Sequence, residues 1–144
     1  MVKLSPSLHR RALIFVAALW WGGLTLLGAM VVPSLFAHLA TPAIAGGMAA
    51  QLFSAQTWVS VVCGLLLLML ARPNSNANAT PPASLGTAWI LSGLVLALLL
   101  EFAVAPRIVA RDNLALWHGL GSLFFALQWL CAQVTLWQVS DRVE

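Results

Sequence analysis

The residues of this chain that could do chemistry are few, and they lie near one end of two apolar runs. Glu101 directly follows seven apolar residues in "LVLALLLE", and His118 stands near the start of the run "LALWHGLGSLFFALQ". Arg107 and Arg111 lie on the connection between these runs. Such a cluster can form a structural ion pair, with Glu101 bound to Arg107, Arg111 or His118, or a small polar pocket for a proton, a metal or a ligand.

A second group of residues is suited to soft metals. Met30, His38 and Met48 combine thioether and imidazole groups, which are ligands for cuprous copper. His38 and His118 could instead supply the two axial ligands of a haem. The sequence has no CxxCH motif, so covalent haem attachment is excluded. No serine or cysteine is paired with a base for nucleophilic attack, so the sequence predicts no enzyme.

The composition defines the setting of these residues. The chain has 144 residues, of which 61% are hydrophobic and 8% charged, whereas soluble domains carry about a quarter charged residues. This composition predicts an all-α membrane protein with a single domain. The net charge of +3 is explained by membrane topology and by contact with anionic lipid, and it requires no nucleic-acid partner.

The apolar runs are long enough for four transmembrane helices in a compact bundle, since a helix needs about 20 residues to cross the hydrocarbon. Pro33, Pro73 and Pro106 each follow a run closely, and we expect them to end helices. The connection after Pro33 is expected to form one or two short helices on the membrane surface, and residues 71–84 a flexible linker. The predicted spans are 12–32, 50–70, 85–105 and 114–139.

The basic residues indicate the orientation. Five of the seven belong to one side of the predicted topology, and only Arg107 and Arg111 to the other. Because basic residues accumulate on the cytoplasmic side, both termini are expected to be cytoplasmic, in the inner membrane of a bacterium. The five are Lys3, Arg10, Arg11, Arg72 and Arg142.

Small residues recur at helical spacing on three of the predicted spans. Such stripes let membrane helices approach closely, so they predict packing within the bundle and association with a second copy or with other membrane subunits. Glu101 continues one of these stripes and is therefore expected to point inward. The stripes are Ala18, Gly22, Thr25 and Ala29; Gly93 and Ala97; and Ala115, Gly119 and Ser122.

The segments "ALWWGGLTLLGAMVVPSLFAHL", "AGGMAAQLF", "PRI" and "HGLGS" together resemble the transmembrane protein 205-like proteins, known in bacteria as domain of unknown function 4149. The chain is also distantly similar to the copper resistance protein D group. The resemblance implies a four-helix membrane protein with no established reaction. The family pattern would mark Trp21, Gly22, Gly23, Pro33, Phe36, Gly47, Phe53, Pro106, Arg107, His118 and Gly119.

Three functions follow from these features. The favoured one is a structural or accessory membrane protein, as a homo-oligomer or as a subunit of a larger assembly. The alternatives are a carrier of a metal or small solute through an outer pocket, and a haem-binding redox protein. We prefer the first because one ionisable cluster in 144 residues is little for a complete transporter, which usually shows paired repeats and broken helices.

Overall fold

The computed structural model describes residues 5–71 and 83–141, and within these ranges the chain is helical, with no strand. Four helical segments are long and apolar enough to cross a membrane: Ser7–His38, Pro42–Leu70, Gly86–Val109 and Leu114–Asp141. The predicted all-α class is therefore confirmed, as is the presence of four helices long and apolar enough to span a membrane. Most of the predicted linker lies outside the described residues, as do Lys3, Arg72, Pro73 and Arg142.

The first long helix consists of three parts: α1 (Pro6–Leu26), a π-helical turn that we call π1 (Leu27–Val31), and α2 (Val32–His38). Its start is capped by Ser5, whose side-chain oxygen accepts a hydrogen bond from the Leu8 N–H. The helix thus continues well beyond the end that the apolar pattern predicts at residue 32.

The second long helix, α3 (Pro42–Leu70), begins after only three residues, Leu39–Thr41. Thr41 caps it by accepting the Ile44 N–H. The prediction of short surface helices between the first two spans is therefore corrected. The residues assigned to them extend the two long helices instead.

The third long helix repeats the construction of the first. It consists of α4 (Ala83–Leu99), a second π-helical turn, π2 (Leu100–Val104), and α5 (Ala105–Val109). A short turn, residues 110–113, leads into the fourth helix, α6 (Leu114–Asp141).

Pro33 and Pro106 lie inside these helices and do not end them, which corrects the role that the sequence predicts for them. Both are placed directly after a π-helical turn, at the start of a short α-helix. A proline N–H is missing from the ladder and its ring crowds the preceding turn, and widening that turn by one residue accommodates both effects.

The four helices form a ring. α1 packs against α3 and α6, and α4 packs against the same two helices. Trp20 is fully buried at the centre of this arrangement, and Gly93 on α4 makes room for it: a Cβ atom at Gly93 would lie 2.6 Å from the Trp20 ring. Around Trp20 the core contains Ala17, Leu24, Cys63, Leu67, Ile90, Leu94 and Ala132.

The small-residue stripes have different positions in the bundle. Gly93 and Ala97 are buried between helices. Ala18, Ala115 and Gly119 are exposed, and a Cβ at Gly119 would meet nothing within 4 Å. The predicted stripe on the fourth helix therefore does not pack within this chain.

Replacing Gly93 by Ala should destabilise the protein by about 1–3 kcal/mol, because the new methyl group would overlap a ring that is packed on all sides. The matched variant Gly119→Ala places its methyl in open space, so its stability should be unchanged or slightly higher. Thermal unfolding in mild detergent can be followed with a thiol-reactive dye, because Cys63 and Cys131 are both buried and free. Equal melting temperatures for the two variants would contradict the packing of Trp20 on Gly93.

Candidate functional site: a cavity between the four helices

A cavity of about 700 Å³ lies between all four helices. Its lining comes from residues 24–36, 46–57, 100–109 and 118–129, which are the helix parts nearest the two short connections, 39–41 and 110–113. We call this end of the bundle the short-connection end. The walls are mostly apolar, and both π-helical turns contribute to them.

Glu101, in π2, brings a carboxylate to this cavity. Its Oε1 accepts a hydrogen bond from the Ser54 hydroxyl of α3 at 2.6 Å, and the side chain is partly buried. Within residues 5–71 and 83–141 the carboxylate makes no ion pair. The partner of Glu101 is thus a hydroxyl group and not a basic side chain. The position of Glu101 in the cavity lining agrees with the inward direction expected from the sequence.

Two further polar contacts join helices below Glu101. The Gln128 amide donates to the Ser60 hydroxyl at 3.0 Å, and the Trp129 indole N–H donates to Thr25 at 2.8 Å. Gln56 differs from them, because its buried side-chain Nε2 has no hydrogen-bond partner among the described residues. Gln56 is nevertheless one of the residues that line the cavity.

Aromatic rings form one side of the cavity. Phe125 packs edge-on against Phe53, with ring centroids 5.3 Å apart, and it stands over Gly28, where a Cβ would lie 2.7 Å from its ring. The absence of a side chain at Gly28, in π1, therefore leaves room for the Phe125 ring. Exposed lining residues of the first and fourth helices mark an opening between them. They include the small residues Ala29, Ser122 and Ala126 and the larger Phe36 and His118.

The predicted polar cluster is divided in the structure. Glu101 and His118 both line the cavity, His118 at its exposed rim. Arg107 lies outside the lining, where its guanidinium is 3.5 Å from Asp112 and 5.0 Å from the centre of the Trp117 ring. Arg111 is exposed in the turn. None of the three partners considered from the sequence is the group that binds Glu101.

The proposed metal and haem ligands are also separated. Met30 and His38 line a shallow groove on the first helix, to which Met48 does not contribute. The His38 Nδ1–H donates to the Ser34 carbonyl at 2.9 Å. His118 lines the cavity and not this groove. Among the described residues no group of three or more His, Cys, Asp or Glu is arranged to hold a metal ion.

Residues 15–115 match a family described as a domain of unknown function (DUF4149). The chain belongs to this family. The match includes both π-helical turns, Ser54 and Glu101 of the DUF4149 chain, and it ends before His118. No curated protein and no solved structure matches the chain.

Several residues at the cavity are not apparent from apolar periodicity. Ser54 looks like an ordinary member of an apolar helix until the fold brings its hydroxyl to Glu101. Gln56 and Gly28 look equally ordinary until the fold places them in the cavity lining. One signal in the DUF4149 sequence could have found the region. "LGAMVVP" and "LEFAVAP" share the spacing Leu-x-x-x-Val-x-Pro, and each corresponds to one π-helical turn with its proline. Gly28 and Glu101 occupy equivalent positions in this repeat.

The turn after α5 explains why Arg111 is not at the cavity. Arg111 has φ 57°, its N–H donates to the Ile108 carbonyl, and the Asp112 N–H donates to the Arg107 carbonyl. These two bonds form a Schellman motif, in which the left-handed position is usually glycine. The ion pair of Arg107 and Asp112 spans the same two positions as the usual hydrophobic contact.

Arg111→Gly should therefore raise the melting temperature slightly, since it relieves about 1 kcal/mol of left-handed strain, an effect partly offset in the unfolded chain. Arg111→Val should lower it, because a β-branched residue strongly disfavours positive φ. Arg111→Lys keeps both charge and strain and serves as the control. If the Gly and Val variants unfolded at the same temperature, the left-handed turn would be wrong.

Proposed function

We propose that this DUF4149 protein binds a small, mostly apolar organic cation in the cavity between its helices, as a membrane carrier or binding protein. The observation that supports this proposal is the position of the Glu101 carboxylate, which lines an apolar cavity and is bonded to the Ser54 hydroxyl. The proposal replaces the accessory role that the sequence favours, and it develops the solute-carrier alternative.

The electrostatics of the site favour a cation. A charged side chain within a membrane span costs about 2.5–3.5 kcal/mol on insertion scales, and such groups are usually paired or line a functional cavity. The nearby Arg107 is already bound to Asp112. A cationic ligand in the cavity would supply the countercharge that the described residues of the chain do not place beside Glu101.

The size and surface of the cavity agree with an organic ligand. A volume of about 700 Å³ falls within the range of about 300–1,000 Å³ that is typical of sites for drug-sized molecules. Phe53 and Phe125 present rings to the cavity, and aromatic faces attract cations. The exposed small residues between the first and fourth helices would let such a ligand enter from the bilayer.

The setting is part of the same proposal. Both termini are cytoplasmic, which directs the short-connection end to the outside of a bacterial inner membrane, as the distribution of basic residues favours. The protein binds and releases its ligand without a chemical reaction. The likeness to the transmembrane protein 205-like proteins and to the copper resistance protein D group belongs to this proposal as well.

Binding of tetraphenylphosphonium and tetraphenylborate tests the charge preference, because these probes have nearly the same shape and opposite charges. Equilibrium dialysis of the purified protein in mild detergent, with protein-free micelles as the baseline, should show saturable binding of the cation only. Glu101→Gln should weaken that binding by about tenfold or more, since close charge pairs contribute about 1.5 kcal/mol or more. Ser54→Ala should weaken it less.

The control is Asp141→Asn, which removes an exposed carboxylate at the end of α6 away from the cavity and should leave binding unchanged. The proposal fails if wild-type protein binds neither probe above the micelle baseline. It fails equally if Glu101→Gln and Asp141→Asn have the same effect.

A subunit or homo-oligomer role is a second candidate, supported by Ala115 and Gly119, which are exposed on the fourth helix with open space around Gly119. In that case Gly119→Leu should dissociate a complex that native mass spectrometry detects in wild-type protein, because a large side chain would keep the helices apart. Leu127→Ala, an exposed site on the same helix, is the control. A monomeric wild-type protein would exclude the homo-oligomer.

A further inference from the structure

We infer that the head group bound in this cavity is a primary ammonium, held by the Glu101 carboxylate together with two main-chain carbonyl oxygens, those of Gly28 and Glu101. The inference rests on the proposed function and narrows the ligand class. It is carried by the hydrogen-bond pattern of the two π-helical turns and by the prolines that follow them.

In the first helix, the carbonyl of Gly28 lacks a donor from the helix ladder. An α-helical bond would come from the N–H of Val32, but that N–H donates to the Leu27 carbonyl. A π-helical bond would come from the residue after it, and that residue is Pro33, which has no N–H. Neither the α-helical nor the π-helical N–H is therefore available to the Gly28 carbonyl.

The third helix has the same pattern at the equivalent position. The N–H of Ala105 donates to the Leu100 carbonyl, so it is not available to the carbonyl of Glu101. The next residue, Pro106, has no N–H. Glu101 thus contributes its carboxylate and a main-chain carbonyl that the ladder leaves without a donor.

Both residues line the cavity, and they belong to two different helices of the ring. Hydrocarbon offers no water to a free carbonyl, so non-helical backbone within a membrane is tolerated only where it is buried in protein or lines a cavity. In transporters with broken helices, carbonyls released in this way bind cations. The repeated Leu-x-x-x-Val-x-Pro spacing places two residues with such carbonyls in the lining of one cavity.

A primary ammonium carries three N–H donors on one atom. In the inferred site the three acceptors are the Glu101 carboxylate and the two carbonyls. A quaternary ammonium has the same charge but no donor, and therefore could use the carboxylate and the aromatic rings alone. An inorganic cation could also bind oxygen atoms, but it would leave most of this large apolar cavity without a complementary surface.

The experiment compares 1-adamantylammonium with its N,N,N-trimethyl derivative, which has the same charge and the same apolar cage. Competition against tetraphenylphosphonium should show that wild-type protein binds the primary ammonium about tenfold or more tightly than the trimethyl form, as expected for hydrogen bonds to a charged group. Sodium chloride at equal ionic strength should compete no better than choline chloride.

Pro106→Ala provides the variant, because the alanine N–H can satisfy the Glu101 carbonyl. This change should reduce the preference for the primary ammonium severalfold, while tetraphenylphosphonium still binds through the carboxylate. Pro33→Ala should act in the same way through Gly28, and it replaces the first variant if that one does not fold. The control is Pro42→Ala, since Pro42 stands in the first turn of α3, where no helical carbonyl awaits its N–H.

The possible outcomes separate the two proposals. Equal affinity of wild-type protein for both adamantyl cations overturns this inference and leaves the cation site intact. Selective displacement by sodium would place an inorganic ion at the oxygens and overturn it as well. A preference that survives both Pro33→Ala and Pro106→Ala would show that the carbonyls do not create it. Failure of tetraphenylphosphonium itself to bind rejects the proposed function.

Discussion

Pro33 and Pro106 each lack the N–H that a helix needs at that position, yet both helices continue past them. The shape of the bundle depends on how the preceding turn compensates for the missing donor. In a membrane no water replaces the missing donor, so the helix must rearrange its own hydrogen bonds. Here the turn before Pro33 and the turn before Pro106 widen into π-helices. A wider turn displaces the rest of the helix relative to its neighbours, and both such turns face the cavity at the short-connection end.

The two halves of the chain use this device differently. At equivalent positions of the repeat, the first half has Gly28 and the second has Glu101. The glycine leaves space that the Phe125 ring fills, and the glutamate directs a carboxylate to the same cavity from another helix. A pair of similar helices thus gives an asymmetric cavity with an aromatic side and an acidic side.

The four helices are held together by contacts that begin at the inner end of the cavity. Apolar side chains gain little by leaving lipid for protein, so close fit and hydrogen bonds must hold membrane helices together. Trp20 seated on Gly93, the bond from Gln128 to Ser60 and the bond from Trp129 to Thr25 satisfy both requirements. They connect α1, α3, α4 and α6 at the inner end of the cavity and in the core next to it.

The sequence by itself determined the four spans, the all-helical class and the inward direction of Glu101, because apolar runs and an isolated acidic residue have few alternatives in a membrane. The sequence also contains the repeated Leu-x-x-x-Val-x-Pro spacing. This spacing did not reveal that the two helices continue, because a proline after an apolar run usually ends a helix. Whether the helix continues past the proline depends on the conformation of the turn before it. Only the tertiary structure decided that Ser54 is the partner of Glu101, that Arg107 binds Asp112, and that a cavity separates the helices. These contacts join residues distant in sequence or depend on side-chain direction at a turn, and local periodicity carries no information about either.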